Sequence, residues 1–224
     1  MGQRILVVAP HADDEVIGCA GLILSSKLKG ASVGWLLMTS VEEQYGYSEE
    51  FVQTRKKQIE TVKELLSFDT FSNLGFHPAY LDTIPKSEII LAMSKVIQRY
   101  QPSELYIPYP GDAHSDHGVT FDCCRAFMKP FRYDHVEKIC FYETISETDQ
   151  NFTPDQEYFK PNRFVNISDF IDQKVHAALT YESEFQEHPF PRSEVNIKAL
   201  AAHRGATANY KYAEAYISLL DRSN

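Results

Sequence analysis

Two short clusters of ligand-type side chains carry the chemistry of this chain. The first is His11-Ala12-Asp13-Asp14-Glu15 and the second, far along the sequence, is His114-Ser115-Asp116-His117. Imidazole nitrogens and carboxylate oxygens in this number suit one divalent cation, with enough left over to move protons. His11 and Asp14 are spaced to converge on a turn or a helix opening. His117 becomes the third ligand if the strands leading into the two clusters are neighbours. Two imidazoles, one carboxylate and an open position make a hydrolytic site for zinc, with Fe2+ as an alternative occupant. Asp13, beside a ligand without being one, stands where a general base would take the proton of an activated water. His114 is expected across the open position, as an imidazolium that stabilises an oxyanion or protonates a departing amine. Asp116 is expected to orient His114 and raise its pKa.

Each cluster alone has an ordinary explanation. His-x-x-Asp is often a cap or a surface ion pair, and Glu15 reads as a first-turn acid complementing the helix dipole. Placement is what joins the clusters, because both follow apolar runs and both precede helical patterns. Ile5-Leu6-Val7-Val8 reads as a buried strand over 4–9, followed by a helix over 15–29 that ends at Gly30. Strands are expected over 33–38, 70–74, 105–107 and 138–142, and helices over 49–66, 86–100, 118–128, 168–186 and 193–203. A loop runs from His77-Pro78 to Pro85, a polar loop covers 144–161, and His188–Arg192 forms a rigid connector. Gly18 and Gly21 are expected to allow close helix–sheet contact. This β-α-β order predicts a three-layer α/β fold, a mostly parallel sheet with helices on both faces and the metal site at the C-terminal ends of its strands.

The 224 residues suit one domain over 1–224. A formal charge of −9 and a pI near 5.4 argue against a nucleic-acid partner. No run is long enough for a membrane span. Met1–Arg4 leads straight into the first strand, so no signal peptide and a cytoplasmic location are expected. Cys19, Cys123, Cys124 and Cys140 lie in apolar patterns and read as reduced core thiols. The 14 Phe and 13 Tyr offer rings to stack on sugars, and exposed aromatic loops leave self-association open.

At these residues the chain closely resembles the PIG-L/LmbE-like family of zinc-dependent N-deacetylases. Pro10-His11-Ala12-Asp13-Asp14-Glu15 is similar to the family's N-terminal signature, with Ala12 where a second proline is common. His114-Ser115-Asp116-His117 is similar to its mid-chain motif, and Arg204-Gly205 with Tyr212–Tyr216 to its C-terminal pattern. The resemblance implies a Rossmann-like three-layer fold, with zinc on His11, Asp14 and His117, Asp13 as base and His114 as electrophilic helper. It also implies an acetamido sugar as substrate, cleaved to free amine and acetate.

The chain departs from the thiol-pathway members at Arg55-Lys56-Lys57-Gln58 and in the loop Leu74–Asp82, where Asp82 stands in for a family acid. Tyr142–Thr148 and Pro189–Ser193 look like branches that act on surface-polysaccharide sugars, which suggests a nucleotide-linked or otherwise activated sugar. Arg55 and Arg192 are then candidate contacts to phosphate or hydroxyls, or equally a surface helix cation and a loop-anchoring ion pair; Tyr142 and Glu143 are candidate borders of the pocket, with core packing the favoured role for Tyr142. His188 and His203 read as ordinary polar residues. The competing readings are another metal hydrolase, such as a phosphoesterase, and a non-catalytic sugar-binding protein.

Overall fold

The computed structural model describes residues 2–152 and 158–222. Its strands are β1 (Arg4–Ala9), β2 (Ser32–Thr39), β3 (Thr70–Phe76), β4 (Glu104–Pro108), β5 (Lys138–Tyr142), β6 (Arg163–Asn166) and β7 (Ala213–Asp221). Its α-helices are α1 (Asp14–Leu28), α2 (Glu49–Leu65), α3 (Lys86–Tyr100), α4 (Ser115–Cys124), α5 (Ile171–Leu179) and α6 (Glu194–Thr207). The strands form one sheet in the order β3-β2-β1-β4-β5-β7-β6. From β3 to β5 all pairs are parallel, whereas β7 runs antiparallel to both β5 and β6.

A parallel strand covered on both faces must be apolar on both, and β1 meets that demand. Ile5, Val7 and Ala9 enter one core with α1, α2, α5 and α6, while Leu6 and Val8 enter the other with α3 and α4. The result is the expected three-layer α/β architecture. Because β1 pairs with β4, the chain order reverses between these two strands. A reversal of this kind opens a crevice at the strands' C-terminal ends. Both ligand clusters leave the sheet there.

Helix α1 lies unusually close to the sheet, as its two glycines suggest. A Cβ on Gly18 would overlap the Tyr142 ring, and one on Gly21 would overlap Ile167. Glu214 of β7 reaches the same helix, accepting from the backbone N–H groups of Gly21 and Leu22 at 2.8 and 2.7 Å. The buried Lys174 ammonium neutralises it at 2.6 Å.

Several boundaries differ from the sequence reading. Helix α4 begins at Ser115 rather than 118, because the His114 ring caps it by accepting from the Asp116 N–H at 3.1 Å. Histidine is not among the usual N-cap residues. The helix expected over 168–186 covers only Ile171–Leu179. Beyond it, buried Tyr181 and Phe185 continue helical spacing within a non-helical segment. Strands β6 and β7 were not expected. Ala213-Glu214-Ala215 is poor in strand formers, and β6 has only four residues. The loop over 144–161 contains no helix or strand where described, and its residues 153–157 lie outside the described set. All four cysteines are free and buried, and no described helix is long and apolar enough to cross a membrane.

The α1–β5 contact gives a stability test. Gly18→Ala should destabilise the fold by about 1–3 kcal/mol, the usual range for overpacking. A urea titration should show a lower midpoint at unchanged slope. An unaltered midpoint would contradict the close approach.

Candidate metal centre and its cavity

The loop from β1 to α1 is pinned at its start, where Pro10 C=O accepts from the Thr39 N–H at 3.1 Å and the Thr39 hydroxyl at 2.8 Å. Asp14 opens α1 with no exposure at all, and its Oδ2 accepts from the His11 backbone N–H at 2.9 Å. The same oxygen lies 3.5 Å from His11 Nδ1 and 3.2 Å from His117 Nε2. His117 arrives on the first turn of α4, so the register of β1 against β4 unites the two clusters. One ligand atom from each of His11, Asp14 and His117 lies within 4.8 Å of the others.

The other nitrogen of each imidazole is anchored outward. His117 donates through Nδ1 to Asp112 Oδ2 at 2.8 Å, and Asp112 also accepts from the Thr148 hydroxyl. His11 donates through Nε2 to Asp116 Oδ2 at 3.0 Å, and Asp116 is held by the N–H groups of Ala79 and Leu81. Carboxylates behind both rings fix their orientation, as metal-binding histidines require. Inside this frame the buried Asp14 Oδ1 and His117 Nε2 have no hydrogen-bond partner. Buried orphans are costly, and a cation satisfies both at once. The residues present therefore fit a divalent metal.

A second ligand-type group, His11, His114 and Asp116, is equally compact. Its carboxylate is already spent, however: Asp116 serves two backbone N–H groups and His11, and His114 Nδ1 caps α4, leaving only His114 Nε2.

Electrostatics follow the geometry. Burial works against the charged His117 ring, but Asp14 and Asp112 raise it to about 10. His11 is raised to about 9, its burial outweighed by bonds to Asp116 and Asp14. Asp14 is held well below the ordinary carboxylate range, with the two imidazoles overcoming its burial. Asp13 moves the other way, pushed to about 6 by burial against the pull of Arg192.

Asp13 itself occupies φ 153°, ψ −28°, a backbone conformation that favours glycine. Its N–H donates to Glu15 Oε2 at 3.0 Å, and Glu15 Oε1 accepts from the Tyr181 hydroxyl at 2.7 Å. Glu15 is thus more than a first-turn acid. One Asp13 oxygen meets the Arg192 guanidinium, and its buried Oδ1 has no hydrogen-bond partner.

Four sequence expectations require correction. Asp116 does not turn its carboxylate to His114; it holds His11 instead, and only its backbone N–H meets the His114 ring. Burial and then the neighbouring His11 lower the His114 ring to about 4, against the expected imidazolium. Tyr142 does not border the cavity. It is wholly buried, donates to Val8 C=O at 2.9 Å and packs on Gly18. Asp82 is exposed on a short 3-10 turn away from the cavity lining.

Arg55 and Arg192 do reach the cavity, but both are held by protein partners. Arg55 donates to Ala12 C=O at 3.1 Å, to Ser183 at 2.9 Å and to Glu184. Arg192 bonds Asp13, Ser146 at 2.8 Å and Glu147 at 3.5 Å. The cavity, about 530 Å³, has His11, Asp13 and His114 in its wall together with Tyr47, Phe51 and Phe190. Sequence reasoning missed the three aromatic residues, as well as Asp112, Glu147 and Glu184. The available signals were Asp112, an acid in the loop that carries the second cluster, and the segments Tyr142–Thr148 and Pro189–Ser193, which contain Glu147 and Phe190.

A model of the PIG-L family, described as GlcNAc-PI de-N-acetylase, matches residues 6–128. The chain belongs to the PIG-L family. The matched span runs from β1 past α4 and takes in both clusters. Diacetylchitobiose deacetylase of Thermococcus kodakarensis is 26% identical over 226 residues, covering 95% of this chain and 81% of that protein. A probable N-acetyl-alpha-D-glucosaminyl L-malate deacetylase 2 of Bacillus subtilis is 26% identical over 149 residues, covering 62% of this chain and 67% of its own. Among solved structures, a conserved protein from Thermus thermophilus superposes with a TM-score of 0.77 at 29% identity, covering 98% of this chain and 96% of its own. N,N'-diacetylchitobiose deacetylase from Pyrococcus horikoshii shares the fold, with a TM-score of 0.76 at 23% identity and coverage of 97% and 84%.

The outer carboxylates of this PIG-L chain give the next test. Asp112→Ala and Asp116→Ala should each weaken zinc binding about 10–100-fold, the usual cost of losing such a partner. Calorimetric titration of folded protein reads the effect. Wild-type affinity in both variants would contradict the anchoring roles.

Proposed function

We propose that this protein is a metal-dependent hydrolase that removes the acetyl group from an N-acetylglucosamine-like sugar, yielding a free amine and acetate. The observation that carries the reading is the orphaned pair, Asp14 Oδ1 and His117 Nε2, set beside Asp13 and an open cavity. Family membership and the names of the relatives supply the amide and the sugar. His11, Asp14 and His117 would hold the cation, with zinc the metal best suited to this donor set and Fe2+ an alternative. When bound, the cation would acidify water and polarise the amide carbonyl.

The remaining steps belong to this chain's own groups. Asp13, with a carboxyl near 6, accepts the proton of the water that attacks the carbonyl carbon. His114 enters as a neutral ring. Its Nδ1 accepts from the Asp116 N–H, so the ring proton resides on Nε2, from which it can hydrogen-bond the developing oxyanion. When the tetrahedral intermediate collapses, the proton held by Asp13 passes to the departing nitrogen. Buried free thiols are in keeping with a cytoplasmic location.

Asp13→Asn removes the base while leaving the three ligands in place. Acetate release should fall by about 10²–10⁴-fold, with one zinc still bound per chain. Undiminished release would exclude Asp13 as the base. Release of phosphate from phosphomonoesters in place of acetate would favour a phosphoesterase.

A further inference from the structure

The loop between His11 and Asp14 contains one peptide group that the protein holds at both edges. It joins Ala12 to Asp13. Its C=O accepts from Arg55 Nη1 at 3.1 Å, and its N–H donates to Glu15 Oε2 at 3.0 Å. In a trans peptide these two groups point in opposite directions, so the partners grip opposite sides. Tyr181 reaches both of them. Its hydroxyl donates to Glu15 Oε1 at 2.7 Å, and the Arg55 guanidinium carbon lies 5.4 Å from the centre of its ring. Glu15 and Tyr181 are wholly buried and Arg55 nearly so.

Asp13 shows what this grip opposes. Its ψ of −28° already suits a right-handed helix, whereas its φ of 153° does not. The angle φ follows the orientation of the peptide that precedes the residue. Turning the Ala12–Asp13 peptide by roughly half a turn would return φ to the helical range. That turn would carry the C=O away from Arg55 and the N–H away from Glu15, breaking both bonds inside the protein. The strained orientation persists because its surroundings over-determine it, as happens at functional sites. The residue held this way is the one whose carboxylate lines the cavity, with Oδ1 lacking a hydrogen-bond partner.

We propose that Arg55, Glu15 and Tyr181 are positioning residues that together lock the Ala12–Asp13 peptide and so hold the Asp13 carboxylate in its working place. Arg55 then acts on the base through the backbone and is not a contact to substrate. The proposal rests on the deacetylase reading for the role of Asp13.

Stability tests the lock without reference to activity. Urea titrations compare Asp13→Gly with Asp13→Ala; both lack the carboxylate, and only glycine accepts this φ readily. Asp13→Gly should have the smaller unfolding equilibrium constant, by about tenfold. In the Arg55→Met background, or with Tyr181→Phe should that variant not fold, the gap should shrink because the peptide can turn. No gap in the first pair would overturn the strain. An undiminished gap in the second would overturn the lock, leaving only the advantage of glycine over alanine at a helix N-cap.

Kinetics test the consequence. With zinc bound and N-acetylglucosamine or N,N'-diacetylchitobiose as substrate, Arg55→Met and Glu15→Ala should lower kcat by about 10–100-fold at unchanged KM. Glu15→Gln should stay near wild type, because its amide can accept from the Asp13 N–H and donate to the Tyr181 oxygen. A raised KM at unchanged kcat in Arg55→Met would make Arg55 a substrate contact and overturn its positioning role. Equal losses in Glu15→Gln and Glu15→Ala would overturn that of Glu15. Acetate from neither sugar in the wild type would overturn the deacetylase reading, while the stability comparison would still decide the lock.

Discussion

Asp14 is a carboxylate with no exposure, placed between two imidazoles at the head of a buried helix. Taking such a charge out of water costs several kcal/mol unless opposite charge and hydrogen bonds surround it. The surrounding structure supplies both. Strand β1 delivers His11 and Asp14, and β4, its neighbour in the sheet, delivers Asp112 and His117. The two outer carboxylates then hold the rings with one nitrogen turned inward. Removing any one of these groups leaves another buried and unpaired, so the loops behave as a unit.

The C-terminal part of the chain completes the site from the other side. The segment after α5 contributes Tyr181, whose hydroxyl steadies Glu15 and through it the unusual backbone of Asp13. Farther along, Arg192 reaches the Asp13 carboxylate and Ser146. Burial raises the proton affinity of Asp13 and the guanidinium restrains it, leaving a carboxyl near 6, a value suited to a base working near neutrality. Arg192 therefore tunes the proposed base as well as lining the cavity. Arg55 has a parallel function, tying Ala12 of the metal loop to Ser183 and Glu184.

Most of the frame was legible in the sequence because parallel strands buried on both faces leave unmistakable apolar runs. The convergence of His11, Asp14 and His117 was legible for the same reason, since Val8 and Ile107 end such runs before the clusters. What escaped were directions set by tertiary contact. Asp116 looked like a partner for His114 on spacing alone, but starting α4 at Ser115 turns its carboxylate to the β1 loop. Tyr142 ends a strand, as pocket residues often do, but core packing was its favoured reading, and the absence of a side chain at Gly18 draws its ring there. Strand β7 was hidden because Glu214, an unfavourable strand residue, is made tolerable only by Lys174 and by the backbone of α1. Tyr47 lies in a connecting segment with no periodic pattern, and Phe51 fits the apolar spacing of α2, which gave no sign that it faces a cavity.

The central claim is that one cation sits among His11, Asp14 and His117. Anomalous diffraction at the zinc edge, from crystals of zinc-loaded protein, tests it most directly. The account predicts a single peak about 2.0–2.2 Å from a nitrogen of each of those two histidines and from an Asp14 oxygen. A peak held instead by His11, His114 and Asp116, or none near Asp14, would contradict it.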